Sequence, residues 1–150
     1  MPAYLSQELA GSTTANQTAA AVGYRPRASA YQANTRRLRG TFTLGTQTTS
    51  DTLEIGNLPV GSTFAFGVLT SSVSLGSSTV AIGTVGATGK YRAAAVFTAV
   101  DTPTMFGIAT QVGAVDPALS AEERVFVTIA AASLPASGTF VVDLYFSDGT

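Results

Sequence analysis

Because the sequence has neither cysteine nor histidine, its carboxylates are the side chains best suited to acid–base chemistry. Two carboxylates can hydrolyse a glycosidic bond, one as acid and the other as base or nucleophile. The pairs that such chemistry would use are Asp51 with Glu54, and Asp143 with Asp148. Period-two alternation instead places Glu54 and Asp143 on a solvated strand face, and Asp51 at a strand start. We therefore predict no catalytic residue and no enzymatic activity.

The glycine-rich segment GTVGATGK, residues 83–90, invites comparison with a phosphate-binding loop. That loop requires four residues between its first Gly and Gly-Lys, and a Ser or Thr afterwards. Here five residues separate Gly83 from Gly-Lys, and Tyr91 follows, so GATGK is predicted to be a hairpin turn. Three candidate calcium ligands do not form the dense acidic loop that this ion prefers: Asp101, Asp116 and Asp148. We expect no cofactor, no metal site and no small-molecule substrate.

The stretch GYRPRASAYQANTRRLRG, residues 23–40, holds five of the eight basic residues of the chain. Arginine stacks on rings and makes bidentate bonds to carboxylates, and it is enriched at protein interfaces. We predict that this window docks on a protein surface through two tyrosines and five arginines: Tyr24, Arg25, Arg27, Tyr31, Arg36, Arg37 and Arg39. The alternatives are a solvated entry into the first strand and a nucleic-acid site. A slightly acidic chain with a single Lys argues against nucleic acid.

Charge is sparse and unevenly divided along the chain. Charged residues make up 11% of the sequence, against about 25% in an average soluble domain. Residues 1–39 carry five Arg and one Glu, a net charge of +4, whereas residues 40–150 carry three basic and eight acidic residues, a net charge of −5. A weakly charged surface does little to keep free monomers apart. The composition therefore favours a chain that partners partly cover in a repeating assembly.

The chain is predicted to have two parts, an extended N-terminal arm over residues 1–35 and a β domain over residues 36–150. AGSTTANQTAAAVG, residues 10–23, has no regular periodicity, and Gly and Pro residues bracket it. The first residues, MPAYLSQELAGS, have neither a basic start nor an apolar run, so we expect no signal peptide. No segment approaches the roughly 18 apolar residues of a membrane helix, so we expect a soluble protein without a membrane partner.

Alternating apolar residues predict seven or eight short strands in the β domain. They begin with residues 38–44, 52–55 and 64–68, continue with 78–85 and 90–99, and end with 105–109, 124–132 and 140–146. The pattern puts three sets of residues each on one strand face: Leu38, Phe42 and Leu44; Phe64, Phe66 and Val68; Tyr91, Ala93, Ala95 and Phe97. Residues 116–123 resemble a helix start, for which we expect one turn at most.

Two similar segments support antiparallel pairing of two of these strands. They are LPVGSTFAF at residues 58–66 and LPASGTFVV at residues 134–142, and each has Leu-Pro, a Gly-containing turn and Thr-Phe at the same offsets. Each looks like a turn that leads into a strand. Short strands at roughly ten-residue spacing with almost no helix are typical of two packed antiparallel sheets. The predicted fold class is all-β, an antiparallel β-sandwich or jelly-roll-like domain preceded by an extended N-terminal arm.

Four segments of the β domain resemble virion structural proteins of tailed bacteriophages. They are RRLRGTFTLG, SDTLEIGNLPVGSTFAFGVL, VSLGSSTVAIGTVGATGKYRAA and the closing ERVFVTIAAASLPASGTFVVDLYFSDG. In that group an Arg-led strand precedes a D-x-L-x-I-G-x-L-P-x-G segment, and S-L-G-S-S-T-x-A-I-G follows. The resemblance covers about three quarters of the chain.

The resemblance implies a non-enzymatic head decoration, or cement, protein made in the host cytoplasm and located on the surface of the phage head. It implies the major capsid protein as partner and a homotrimer as the assembly state. The alternatives are a head or tail fibre-base module that binds a receptor or glycan, and a carbohydrate-binding adhesin of a bacterial surface.

Overall fold

A computed structural model describes residues 34–49, 51–107 and 118–147 of the chain. These residues form eight strands, which are β1 Thr35–Thr43, β2 Thr52–Leu58, β3 Thr63–Ser71, β4 Thr79–Thr84, β5 Ala87–Val96, β6 Thr104–Phe106, β7 Glu123–Ala130 and β8 Thr139–Ser147. In the described ranges, no helix has the length and apolar character needed to cross a membrane.

The strands build two four-stranded antiparallel sheets, in the orders β1-β8-β3-β6 and β2-β7-β4-β5. Among the eight strands of the described ranges, only β4 and β5 are neighbours both in sequence and within a sheet, and all other consecutive strands lie in different sheets. Eight strands in this arrangement make a jelly roll, which is a double-sheet sandwich of Greek keys. The predicted all-β sandwich class is therefore confirmed.

The core lies between the sheets and follows the alternation of the sequence. In β1, Leu38 and Phe42 are half-buried on the inner face, whereas Arg39, Thr41 and Thr43 are exposed on the outer face. In β7 and β8 every second side chain is buried: Val125, Val127, Ile129, Phe140, Val142, Leu144 and Phe146. Each strand contributes one apolar face to a shared interior, which is the arrangement that period-two alternation predicts.

The predicted face of β3 is wrong after Phe64. Phe64 lies opposite Phe146, but Phe66 lies opposite Tyr145, so Ala65 is an extra residue in the ladder. A bulge of one residue reverses the side-chain phase of everything that follows it. Phe66 and Val68 consequently point outward, and the inner positions are taken by Gly67 and the buried Leu69.

The predicted face of β5 is also wrong, and the hairpin turn lies earlier than expected. Tyr91 and Phe97 are buried, but Ala93 and Ala95 are exposed because β5 has extra residues at two points of its register with β4. The turn consists of Val85 and Gly86, so only the first residue of GATGK belongs to it and the rest is part of β5. The hairpin itself is confirmed.

The remaining sequence predictions fall partly outside the described residues. β1 begins at Thr35, one residue before the proposed domain boundary, and the arm remains a prediction because it lies outside the described residues. Residues 118–122 contain no helical turn, and the rest of that proposed helix start lies outside the described residues. The similar segments LPVGSTFAF and LPASGTFVV do lead into β3 and β8, which pair antiparallel as expected.

Candidate functional site

The outer surface of the sheet β1-β8-β3-β6 combines arginine, aromatic and apolar side chains around one carboxylate. Residues that lie opposite each other in an antiparallel pair point to the same face, and the registers place Arg37 with Tyr145, Arg39 with Asp143, and Val68 with both Asp143 and Met105. We call this surface the arginine face and define it by seven residues: Arg37, Arg39, Phe66, Val68, Met105, Asp143 and Tyr145.

Arg39 and Asp143 form a bidentate ion pair across β1 and β8. Nε of Arg39 donates to Oδ1 at 2.7 Å, and Nη2 donates to Oδ2 at 2.6 Å. The hydrogen bond to the carboxylate and its negative charge both raise the pKa of Arg39 above its ordinary value. Two parallel N–H···O bonds fix the orientation of the guanidinium group, so Arg39 is held in place on the arginine face.

Asp143 is buried, which corrects the prediction that it lies on a solvated face. It does point outward from the sheet, but only 6% of the residue is exposed. Arg39 contacts its carboxylate directly, and Nε of Arg37 lies 4.0 Å from Oδ1. A carboxylate removed from water needs such compensation. Two guanidinium groups beside one carboxylate leave this part of the face with an excess of positive charge.

An aromatic and apolar area continues the face beyond the carboxylate. The rings of Phe66 and Tyr145 stack with centroids 4.7 Å apart and an interplanar angle of 17°. Val68 is half-buried, and Met105 at the edge of the sheet is 69% exposed. Aromatic residues, Met and Arg are the residue types enriched in protein interfaces. The face therefore has the composition of a docking surface.

The structure brings together only part of the predicted arginine window. Arg37 and Arg39 share the arginine face. Arg36 is exposed too, but it points to the opposite side of β1, the side to which Leu38 points. The other four proposed contact residues lie outside the described residues: Tyr24, Arg25, Arg27 and Tyr31. A role in docking remains a prediction for all seven.

Sequence reasoning missed most of the arginine face. The outward position of Tyr145 could have been predicted from the sequence of β8, since Tyr145 lies between the alternating apolar residues Val142, Leu144 and Phe146. Phe66 could not have been assigned in this way, because the bulge at Ala65 reverses the phase of β3.

The carboxylates considered for acid–base chemistry make structural contacts in the described part of the chain. Asp51 accepts hydrogen bonds from the backbone N–H of Thr48 at 2.7 Å and from its hydroxyl at 3.1 Å. Glu54 on β2 forms a bidentate pair with Arg124 on the neighbouring strand β7. Nε of Arg124 donates to Oε1 at 3.1 Å, and Nη2 donates to Oε2 at 2.6 Å. Both side chains are exposed, as predicted for Glu54. Asp148 lies outside the described residues.

A second charged cluster connects β5 to β7. The hydroxyl of the buried Tyr91 donates to Oε2 of Glu123 at 2.6 Å, and Lys90 pairs with Oε1. Burial and the hydrogen bond to Glu123 raise the pKa of Tyr91. Burial would raise the pKa of Glu123 too, but hydrogen bonds from Lys90 and Tyr91 bring it below its ordinary value. The cluster fixes β5 against β7.

Two other predicted site types can be located in the structure. Gly83 lies near the end of β4, where the backbone of β5 approaches closely. A Cβ atom at this position would overlap the carbonyl oxygen of Ala87. This close approach of two backbones explains the glycine without a phosphate ligand. In residues 34–49, 51–107 and 118–147, no three acidic side chains are grouped as metal ligands would be.

No known family model and no curated protein matches the sequence. Three solved structures share the fold. A chain of the cyanophage Pam1 capsid asymmetric unit superposes with a TM-score of 0.62 and 18% identity over 77% of this chain and 86% of that chain. A chain of the capsid of Ralstonia phage GP4 superposes with a TM-score of 0.60 and 19% identity over 78% of this chain and 86% of that chain. A chain of the acidic stable capsid of Helicobacter pylori bacteriophage KHP30 superposes with a TM-score of 0.56 and 12% identity over 77% of this chain and 89% of that chain.

Proposed function

We propose that this protein is a non-enzymatic structural component of a phage virion, a decoration or cement protein on the outer surface of the head. It binds the major capsid protein and stabilises the capsid lattice, and it does so as a homotrimer. The protein is made in the host cytoplasm and becomes part of the virion during or after head assembly.

The observation that carries this proposal is the fold shared with chains of three phage capsids. The similarity covers more than three quarters of this chain and at least 86% of each of the other chains. A fold by itself does not define a function, but these chains come from capsids of three different phages. The virion-like motifs of the sequence point to the same class of protein.

The surface chemistry supports attachment to a protein shell. The arginine face presents Arg37 together with a stacked ring pair and the exposed Met105. Few other charges keep copies of the chain apart, since charged residues make up only 11% of the sequence. Many weak contacts to a lattice add up through multivalency, and a trimer would present each contact three times.

We extend the proposal to the predicted docking arm. Residues 1–35 with Tyr24, Arg25, Arg27 and Tyr31 would contact the shell, continued by Arg36, Arg37 and Arg39 at the start of the domain. A segment that becomes ordered on binding loses conformational entropy but covers a large surface. The arm would therefore provide contact area, and the domain would provide a rigid body.

The proposal is tested by co-sedimentation with empty heads of the same phage that lack this protein. The full chain, a chain without residues 1–35 and the variant Arg37→Ala are compared, with Arg124→Ala on the other sheet as the matched control. We expect the full chain to be a trimer by light scattering and to co-sediment, the first two changes to weaken binding, and the control to bind normally. If the full chain does not bind heads, the cement role is excluded.

A fibre-base or adhesin module remains the second candidate, and the stacked pair of Phe66 and Tyr145 is the feature that favours it. Aromatic rings at a protein surface can pack against the apolar faces of sugars. A glycan array separates the two functions, because a cement protein gives no saturable glycan binding, whereas an adhesin module does so and loses it in Phe66→Ala.

A further inference from the structure

The four edge strands of the sandwich differ in how well they could accept an added strand. The edges are β1 and β6 in one sheet and β2 and β5 in the other. β6 has three residues, β2 has a bulge between Glu54 and Gly56, and β5 has two register shifts. Short length and bulges are the usual devices that prevent strand addition. β1 has nine residues in unbroken register with β8, so it is the regular edge among the described strands.

The backbone groups that face away from β8 can be identified from one hydrogen bond. The N–H of Leu44 donates to the carbonyl of Gly138 at 2.9 Å, and these residues continue the register in which Thr43 lies opposite Thr139. Hydrogen-bonded and non-hydrogen-bonded pairs alternate in an antiparallel ladder. The even-numbered residues of β1 therefore bond to β8, and the N–H and C=O groups of Arg37, Arg39 and Thr41 point away from it.

The side chain of Gln47 supports this direction. Its Nε2 donates to the carbonyl of Thr43 at 3.0 Å, on the side away from β8, and so closes one end of the strand. Within the described part of the chain, no hydrogen bond reaches the outward backbone groups of Arg37, Arg39 and Thr41. We call these groups the open edge of β1.

The side chains along the open edge specify the chemistry of a partner strand. On the outer face, Arg39 is already paired with Asp143, whereas Arg37 lies 4.0 Å from that carboxylate with half of its side chain exposed. On the inner face the half-buried Leu38 packs against the core. An added strand would thus place acidic side chains beside the arginines and apolar ones beside Leu38. Pairing β1 with β1 of a second copy would instead bring like charges together, which is unfavourable.

We infer that the open edge of β1 binds an extended acidic segment of a partner protein by β-augmentation. In this mode the backbone hydrogen bonds provide affinity and the alternating side chains provide specificity. The inference goes beyond the proposed function, since it requires a strand of stated chemistry and does not require that the strand belong to a capsid shell.

The probe is the synthetic heptapeptide TVEVEVT, which alternates Glu or Thr on one face with Val on the other. In an antiparallel arrangement, the peptide residues on the same face as Arg37 and Arg39 are those whose N–H groups point to β1. N-methylation of the two Glu residues therefore removes the two hydrogen bonds that their N–H groups would donate to carbonyl oxygens of the open edge. N-methylation of two Val residues leaves those bonds intact and is the matched control.

Binding is followed by NMR of the isotope-labelled full chain. In the free protein, the amides of Arg37, Arg39 and Thr41 should exchange with solvent faster than those of Leu38 and Gly40. TVEVEVT should bind saturably, shift the amides of the open edge and slow their exchange. N-methylation of Glu, or its replacement by Lys, should weaken binding by about tenfold or more, since two charge-assisted or backbone bonds are lost.

Protein variants give an independent measurement of the same contact. Arg37→Ala should weaken the binding of TVEVEVT about threefold, as expected for the loss of one exposed ion pair. Arg124→Ala should not change the affinity of the protein for the peptide. The inference is overturned if the open-edge amides are already protected in the free protein, if TVEVEVT does not bind saturably, or if Glu N-methylation has no effect. It is also overturned if a short oligothymidylate shifts these amides and the peptide does not, because the arginines would then serve a nucleic acid.

Discussion

Replacing Tyr91 by Phe removes one hydroxyl from the middle of β5, where Tyr91 is the buried residue of the strand, and leaves the ring in place. The Tyr91 residue is 2% exposed, and its hydroxyl donates to Oε2 of Glu123 at 2.6 Å. A hydrogen bond to a charged group contributes about 1.5–3 kcal/mol to stability. Glu123 keeps its pair with Lys90 and some contact with water, so we expect a loss near the lower end, about 1.5 kcal/mol. This corresponds to a decrease in Tm of about 5 °C for a chain of this size.

The assay is urea unfolding of the wild type and Tyr91→Phe at several pH values, with Tyr145→Phe on the outer surface as control. The raised pKa of Tyr91 means that its stabilisation is present below the unfolded value of about 10 and is lost as the pH rises further. The lowered pKa of Glu123 means that its contribution is present above about pH 4.3 and is lost as the pH falls through the folded value. The stability difference should be largest near neutral pH. A difference of zero at pH 7, or one that is constant from acid to alkali, would refute the reasoning.

Three further changes test the arginine face and the hairpin by stability and binding. Arg39→Ala should destabilise the protein more than Asp143→Asn in urea unfolding, because only the first leaves a buried carboxylate without its main partner; the reverse order would contradict this account. Met105→Ser should change stability by less than about 0.5 kcal/mol yet weaken co-sedimentation with heads, unlike Val85→Ser at the hairpin tip, which is 83% exposed. Gly83→Ala should cost about 1–3 kcal/mol because its Cβ would overlap a backbone carbonyl, whereas a Cβ on Gly86 meets nothing; equal Tm values for the two alanine variants would argue against it.

The sequence predicted the fold class because β1, β7 and β8 alternate without interruption over most of their length. It failed where an apolar run allowed two phases. In FAFGVL of β3, the phase that starts at Phe64 and the phase that ends at Leu69 are both apolar, and pairing with Phe146 and Tyr145 selects a bulge between them. Such a choice depends on the neighbouring strand, so it cannot be read from the strand alone.

The candidate site was predictable only in its basic component. Five arginines in one window are visible in the sequence, but the partner that orients Arg39 is Asp143, 104 residues away. Alternation alone predicted a solvated Asp143, since it reports which face a residue points to and not what covers it. Arg37 and Arg39 cover this carboxylate only because β1 and β8 pair in one particular register.

The open edge and the arginine face meet at Arg37 and Arg39, and this raises the question of whether one partner uses both. Met105 lies on β6, three strands from β1, which is about 14 Å at the usual strand spacing of roughly 4.8 Å. A single strand bound at the open edge therefore cannot reach Met105, so Met105→Ser should leave the affinity for TVEVEVT unchanged. If the same variant weakens head binding, the head must contact the sheet surface as well as, or instead of, its edge. Competition by TVEVEVT decides between these cases, since Arg37 belongs to both the arginine face and the open edge. An excess of the peptide should displace the protein from heads if they occupy the open edge, and it should leave head binding unchanged if the edge serves a different partner.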